Sequence, residues 1–282
     1  MHPDLLPRAA LGAGAMTDAP ALHLAGIYRR RVNASLERIW ENVFDWEHLA
    51  HLHDSSFADC VLIDAGRWGW SVALTPKGAA VRLLEMRADR ANGRYSSTTV
   101  EGTGAGTEIR VALSPVEPNQ VDVTVEFHLP EDHPERLAVI GASYVAAYSR
   151  LWDEDEAMIQ ARERALARRR TPDPSVSPLN LGAEQAVRAA LPLVFDFGEA
   201  PFRLVDLDGE LVAHSTVCPH WLGTLDEAPV IGCQVRCPWH GYRFDVASGA
   251  CAAHPALKLG PAPEISLTEG RVVAAWPVGA TV

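Results

Sequence analysis

The sequence predicts an α+β protein of two units, an antiparallel sheet closed by a long helix and then an all-β unit. Three observations predict it. Between Cys60 and about Leu129 the chain alternates apolar and polar residues across short segments parted by turn residues. From residue 134 to 168 the period lengthens to that of a helix. Beyond a proline-rich stretch it returns to short, glycine-punctuated strands. With 282 residues there is enough chain to bury two cores.

Residues 1–22 are rich in Ala, Gly and Pro without apolar period and are expected to be a flexible leader. A strand starts near Ile27. After Ser35, the residues Leu36, Ile39, Trp40, Val43 and Phe44 fall at helical spacing. Strands are expected at 61–64, 67–75, 80–88, 94–101, 107–114 and 120–128, with turns such as Ala91-Asn92-Gly93 and Gly102–Gly106 between them. The long helix places Leu137, Ile140, Tyr144, Tyr148, Leu151 and Trp152 on one stripe. A first unit is thus expected over 23–168. Residues 169–180, with three prolines between Pro172 and Pro178, read as an extended linker. The all-β unit follows over 181–282, with a hairpin turning at Asp208-Gly209.

Formal charge is −11, from 36 acidic against 25 basic residues, which leaves no long basic surface for a nucleic acid. No apolar run approaches the ~18–20 residues of a membrane span, and the first residues lack the basic-then-apolar order of a signal peptide. A cytoplasmic protein is expected. Four of the five cysteines crowd between Cys218 and Cys251, which suits a metal site better than a disulfide framework. Cys60 is expected to be a buried apolar residue, and Cys233 and Cys251 to pack inside the small unit.

Cys218-Pro219-His220 and Cys237-Pro238-Trp239-His240-Gly241 offer two thiolates and two imidazoles on two loops. That donor set suits zinc as well as iron, so spacing alone does not decide. The proline after each cysteine, the Trp-His-Gly sequence, and Phe244-Asp-Val-Ala-Ser-Gly249 resemble the Rieske family over roughly 181–277. The resemblance implies a [2Fe–2S] cluster with Cys218 and Cys237 on one iron, His220 and His240 on the other, and the histidine side as an exposed electron port. Gly223 and Trp239 stand where respiratory members carry bracing cysteines, which implies the oxygenase or ferredoxin kind.

Asp45-Trp-Glu-His48-Leu-Ala-His51-Leu-His53 holds three histidines in six residues. The first unit resembles START-like helix-grip domains, where such a stretch need bind nothing. Asp45-x2-His48-x4-His53 also resembles the D-x2-H-x4-H motif of Rieske oxygenase catalytic domains. Trp152-Asp-Glu-Asp155-Glu-Ala-Met-Ile resembles the acidic-then-apolar stretch that carries their third ligand. The resemblance implies mononuclear Fe(II) on His48, His53 and Asp155, with Asp45 bridging His240 to an iron histidine across the subunits of a homotrimer. His51 in place of His53, and Asp153 in place of Asp155, stay open. The order of the two domains is reversed from the usual one.

Trp40, Trp68, Trp70, Phe127, Tyr144 and Tyr148 are aromatic candidates for a pocket, implying a small hydrophobic organic substrate used with O2. No G-x-G-x-x-G opens a helix, so NAD(P)H would be oxidised elsewhere, by a flavin reductase with or without a ferredoxin. The expected function is a Rieske-type terminal oxygenase performing hydroxylation or oxidative dealkylation. The alternative is a Rieske ferredoxin-like electron carrier fused to a helix-grip domain that binds a hydrophobic ligand.

Overall fold

The computed structural model describes residues 21–168 and 172–277. The expected leader, but for its last two residues, and the start of the expected linker lie outside them.

Seven strands form one antiparallel sheet: β1 (His23–Val32), β2 (Phe57–Gly66), β3 (Gly69–Pro76), β4 (Arg82–Asp89), β5 (Arg94–Glu101), β6 (Glu108–Glu117) and β7 (Gln120–Leu129). Their spatial order is β1-β7-β6-β5-β4-β3-β2, so β1 crosses to pair with the end of the meander. Helix α1 (Leu36–Phe44) and a 3₁₀ turn (Glu47–Ala50) fill that crossing, and α2 (Pro134–Arg168) closes the sheet.

Local chemistry accounts for these elements. The Ser35 side chain accepts from the Arg38 amide at 3.3 Å and caps α1, whose buried Ile39, Trp40 and Val43 turn to the sheet. Strand β7 alternates without a break, Val121, Val123, Val125, Phe127 and Leu129 all facing the core. Strand β2 runs longer than the expected 61–64. It is an edge strand whose Val61, Leu62 and Ile63 are all exposed, so no buried face imposes an alternation that could mark its ends. Helix α2 lies directly on β1 because Gly141 has no side chain: a Cβ there would sit 2.0 Å from the Ala25 carbonyl oxygen.

The remaining chain forms β8 (Leu179–Ala183), α3 (Glu184–Ala189), β9 (Leu193–Phe197), β10 (Ala200–Leu207), β11 (Glu210–Ser215), β12 (Val230–Ile231), β13 (Gln234–Arg236), β14 (Arg243–Asp245), β15 (Glu264–Thr268) and β16 (Arg271–Ala275). Three small sheets result, ordered β11-β10-β9, β12-β13-β14 and β15-β16-β8. Asp208 and Gly209 join β10 to β11 with φ of 52° and 94°, the left-handed pair that a two-residue hairpin needs. The chain is therefore α+β, an antiparallel sheet with a long helix followed by a β unit.

The two halves share apolar contacts. Met158 of α2 is buried among Leu225, Trp239 and Phe244, with Leu52 and Ala161 beside it. Among the described residues, no helix is long and apolar enough to cross a membrane.

Candidate metal centres

Two loops, β11 to β12 and β13 to β14, carry Cys218 and Cys237, and they share one backbone design. The Cys218 amide donates to the Gly223 carbonyl at 2.8 Å and its carbonyl accepts from Leu222 at 3.0 Å. The Cys237 amide donates to Tyr242 at 2.8 Å and its carbonyl accepts from Gly241 at 3.0 Å. The equivalent residues Leu222 and Gly241 have φ of 63° and 70°, which turns each loop back on its cysteine. Amides of His220 and Trp221 point at the Cys218 sulfur, and those of Trp239 and His240 at the Cys237 sulfur.

Both thiols are fully buried. The Cys218 S–H beside it pulls the Cys237 thiol down to about 7, while the same contact and burial push Cys218 far up. The rings of His220 and His240 stand edge to face with centroids 4.5 Å apart. Their Nδ1 atoms are both buried without a hydrogen-bond partner. Burial, then the neighbouring His240, keeps His220 below its usual range. Two buried sulfurs and two buried imidazole nitrogens without hydrogen-bond partners fit a [2Fe–2S] cluster. The expected bracing positions are filled otherwise, with the Trp239 indole seated where a Gly223 Cβ would be 2.9 Å away.

The second group forms where α1 ends. His48 lies in the 3₁₀ turn and His53 in the irregular turn after it, where His51 departs from helical geometry with φ −120° and ψ −54°. That break lets residues five apart in sequence bring their ring centroids within 5.0 Å. Asp155 meets them from α2, its Oδ1 3.4 Å from His48 Nε2 and 3.2 Å from His53 Nε2. Ligand atoms of the three lie within 4.8 Å of one another, all buried. Two imidazole nitrogens and one carboxylate converging at these distances are a donor set that fits a divalent cation. Burial opposes ionisation of Asp155, but the imidazoles of His48 and His53 outweigh it and hold the carboxyl well below its usual range. Against the same penalty, Asp155 and Asp45 raise His48 to about 10.

The two alternative ligands are elsewhere. His51 Nδ1 meets Arg236 at 2.9 Å on the other side of the turn. Asp153 is paired with Arg30 at 2.5 Å on the outer face of α2.

Asp45 joins the two groups within one chain. His240 Nε2 lies 2.6 Å from Asp45 Oδ2, and the same oxygen is 3.3 Å from His48 Nδ1. Burial opposes its charge, yet His240 and His48 together keep its carboxyl well below the ordinary range. Docking is completed by Tyr242, which donates to Glu47 at 3.1 Å, and by Arg162, which donates to the Trp221 carbonyl at 3.1 Å and stacks over its ring. The histidine edge of the loops is thus covered, not exposed as expected: His240 is 5% accessible and His220 half-buried.

Two further residues escaped the sequence reading. Glu154 Oε2 lies 2.6 Å from His53 Nδ1, and the buried Asn42 donates to Asp155 Oδ1 at 3.0 Å. Asn42 stands three residues before Asp45, a helical spacing that could have flagged it.

A cavity of about 390 Å³ opens beside His48, His53 and Asp155, between the sheet and α2. Trp70, Tyr144 and Tyr148 line it as expected, together with Tyr95. Trp40 and Phe127 belong to the core, while Trp68 packs at the β2–β3 turn under Arg87. Cys251 is buried as expected, but Cys233 is exposed and Cys60 only half-buried.

The family model of the Rieske [2Fe–2S] domain matches residues 177–269. Ferredoxin CarAc of Metapseudomonas resinovorans is 30% identical over 78 residues, 28% of this chain and 73% of that protein. Apoptosis-inducing factor 3 of Homo sapiens is 30% identical over 152 residues, half of this chain but only 23% of that protein. A START superfamily protein from Mycobacterium smegmatis superposes with a TM-score of 0.38 at 16% identity, over 48% of this chain and 95% of that one. Through residues 177–269, the chain belongs to the Rieske [2Fe–2S] domain family.

Proposed function

We propose that the chain is a Rieske-type non-heme iron terminal oxygenase in which one chain holds the whole path from cluster to substrate. The observation that carries the reading is Asp45, a single carboxylate touching both His240 of the cluster loops and His48 of the second group. Cys218, His220, Cys237 and His240 would hold the [2Fe–2S] cluster, and His48, His53 and Asp155 a mononuclear Fe(II). Iron held by two histidines and one carboxylate keeps open positions for dioxygen, and the cluster supplies electrons one at a time.

The protein's own groups prepare that chemistry. Glu154 lies 2.6 Å from His53 Nδ1 and so turns that ring's Nε2 toward Asp155, while Asp45 lies 3.3 Å from His48 Nδ1 without a hydrogen bond to it. Asp45 accepts the Nε2 proton of His240 and leaves its Nδ1 to the cluster. Asn42 steadies Asp155. Trp70, Leu74, Met86 and Ile109 give the cavity an apolar wall that excludes water and suits hydroxylation or oxidative dealkylation of a small hydrophobic substrate.

Because Asp45 meets both His240 and His48 within one chain, the proposed path would not need a neighbouring subunit. Electrons would come from a separate NAD(P)H-dependent flavin reductase or a ferredoxin, entering at the half-buried His220 edge. A second reading, an electron carrier fused to a ligand-binding domain, is favoured by the likeness to Ferredoxin CarAc.

A single turnover separates them. Ferrous-reconstituted, fully reduced protein is exposed to dioxygen with a panel of ring-bearing compounds, beside Asp155→Ala. The oxygenase reading expects substrate-dependent cluster reoxidation with an oxygenated product, both lost in the variant. Equal reoxidation rates in both proteins, with no product from any compound, would favour the carrier.

A further inference from the structure

The cavity beside His48, His53 and Asp155 is lined not only by apolar side chains but by three cations, Lys77, Arg82 and Arg150. They come from separate places: Lys77 from the β3–β4 turn, Arg82 from the start of β4, and Arg150 from α2. Among the described residues none of the three has an ion-pair partner, and Arg150 donates only to the Ala146 carbonyl, at 3.3 Å. In the same unit Arg30, Arg31, Arg38, Arg87, Arg110 and Arg162 are all paired with carboxylates. Arg82 is the distinctive one. Its residue is half-buried, and its Nε is shut off from solvent with no acceptor. With Nε closed off, the guanidinium meets the cavity through its terminal nitrogens, which have no acceptor among the described residues.

We propose that the cavity takes a small ring-bearing organic carboxylate, its ring against the apolar wall and its carboxylate held by Arg82, with Lys77 and Arg150 lending positive potential. This rests on the reading of the cavity as the substrate site of the second iron. The planar guanidinium presents its two terminal nitrogens side by side, which match the two oxygens of a carboxylate. Of the two carboxylates lining the cavity, Asp45 and Asp155, each is engaged by histidine, so neither neutralises Arg82. At about 390 Å³ the space is at the small end for organic ligands, which limits the guest to a compact ring system. The anchor also explains selectivity: a site with an unfilled buried donor discriminates against the analogue that lacks the acceptor.

The test reads binding without turnover. Full-length protein with its cluster intact, ferrous iron withheld, is titrated with benzoate, 2-naphthoate and their primary amides, following tryptophan fluorescence and calorimetry. Wild type is expected to bind at least one acid about tenfold or more tighter than its amide. Arg82→Met should bring acid and amide within about twofold, the larger loss falling on the acid, and Arg82→Lys should keep part of the preference. An unaltered cluster spectrum and circular dichroism establish that the variants fold. Equal affinities in wild type, a preference that survives Arg82→Met, a preference that appears only once ferrous iron is added, or no saturable binding by either acid would each overturn the proposal. An acid preference lost in Arg82→Met stands even if the chain holds no second iron, and its failure leaves the iron content untouched.

Discussion

Replacing Asp45 by Asn removes a charge and keeps the shape of the bridge. The His240–Asp45 contact is 2.6 Å and both side chains are almost wholly buried, at 0% and 6% accessible. A hydrogen bond to a charged group in such surroundings contributes about 1.5–3 kcal/mol. The carboxylate favours the more positive, oxidised cluster, so its loss should raise the midpoint potential. With 1.4 kcal/mol equal to a factor of ten and 59 mV for one electron, the upper bound is about 60–130 mV, reached only if the reduced cluster makes no use of the bond. The assay is a potentiometric titration followed by electron paramagnetic resonance of the reduced cluster, on wild type and Asp45→Asn. The reasoning expects a rise of tens of millivolts with cluster content unchanged. An unchanged midpoint, or a fall, would refute the contact between Asp45 and the cluster loop.

Other perturbations follow from the same geometry. Mixing Asp45→Asn with Cys218→Ser should give no recovered turnover, since each chain carries its own bridge; recovery on mixing would indicate bridging between chains. Glu154→Ala frees His53 Nδ1 from its 2.6 Å partner and should weaken ferrous binding about 10–100-fold in equilibrium titrations, with the cluster spectrum unaltered. Gly223→Ala sets a Cβ 2.9 Å from the Trp239 ring and 3.1 Å from the Cys237 sulfur, and should destabilise the cluster unit by about 1–3 kcal/mol, seen as faster bleaching on warming. Gly141→Ala drives a Cβ to 2.0 Å from the Ala25 carbonyl and should lower the calorimetric Tm by about 2–10 °C.

How far the sequence reached depended on what each residue answers to. Residues 121–129 were legible because one face of β7 is sealed by the core, and the alternation records that burial. The ends of β2 were not, since an edge strand exposed over most of its length leaves no such record. The histidines His48 and His53 were visible as a motif. Its fit was not, because His48 and His53 converge only through the broken turn at His51. The resemblance selected Asp155 and left Asp153 open, and helix geometry sends the first inward and the second to Arg30. The closure of the bridge inside one chain depends on docking of two units through Met158, Arg162 and Tyr242. No local pattern encodes that. Arg82 was equally silent, since an unpaired arginine is recognised only by the acceptors that are missing around it.

The proposed second iron would lie one aspartate away from the cluster in the same chain. Iron and acid-labile sulfide per chain, measured after anaerobic ferrous reconstitution of wild type, His53→Ala and Asp155→Ala, test it most directly. The account predicts about three irons and two sulfides in wild type, falling to about two irons in both variants with the cluster spectrum intact. About two irons in all three proteins would contradict it and leave the histidines beside the cavity without a metal.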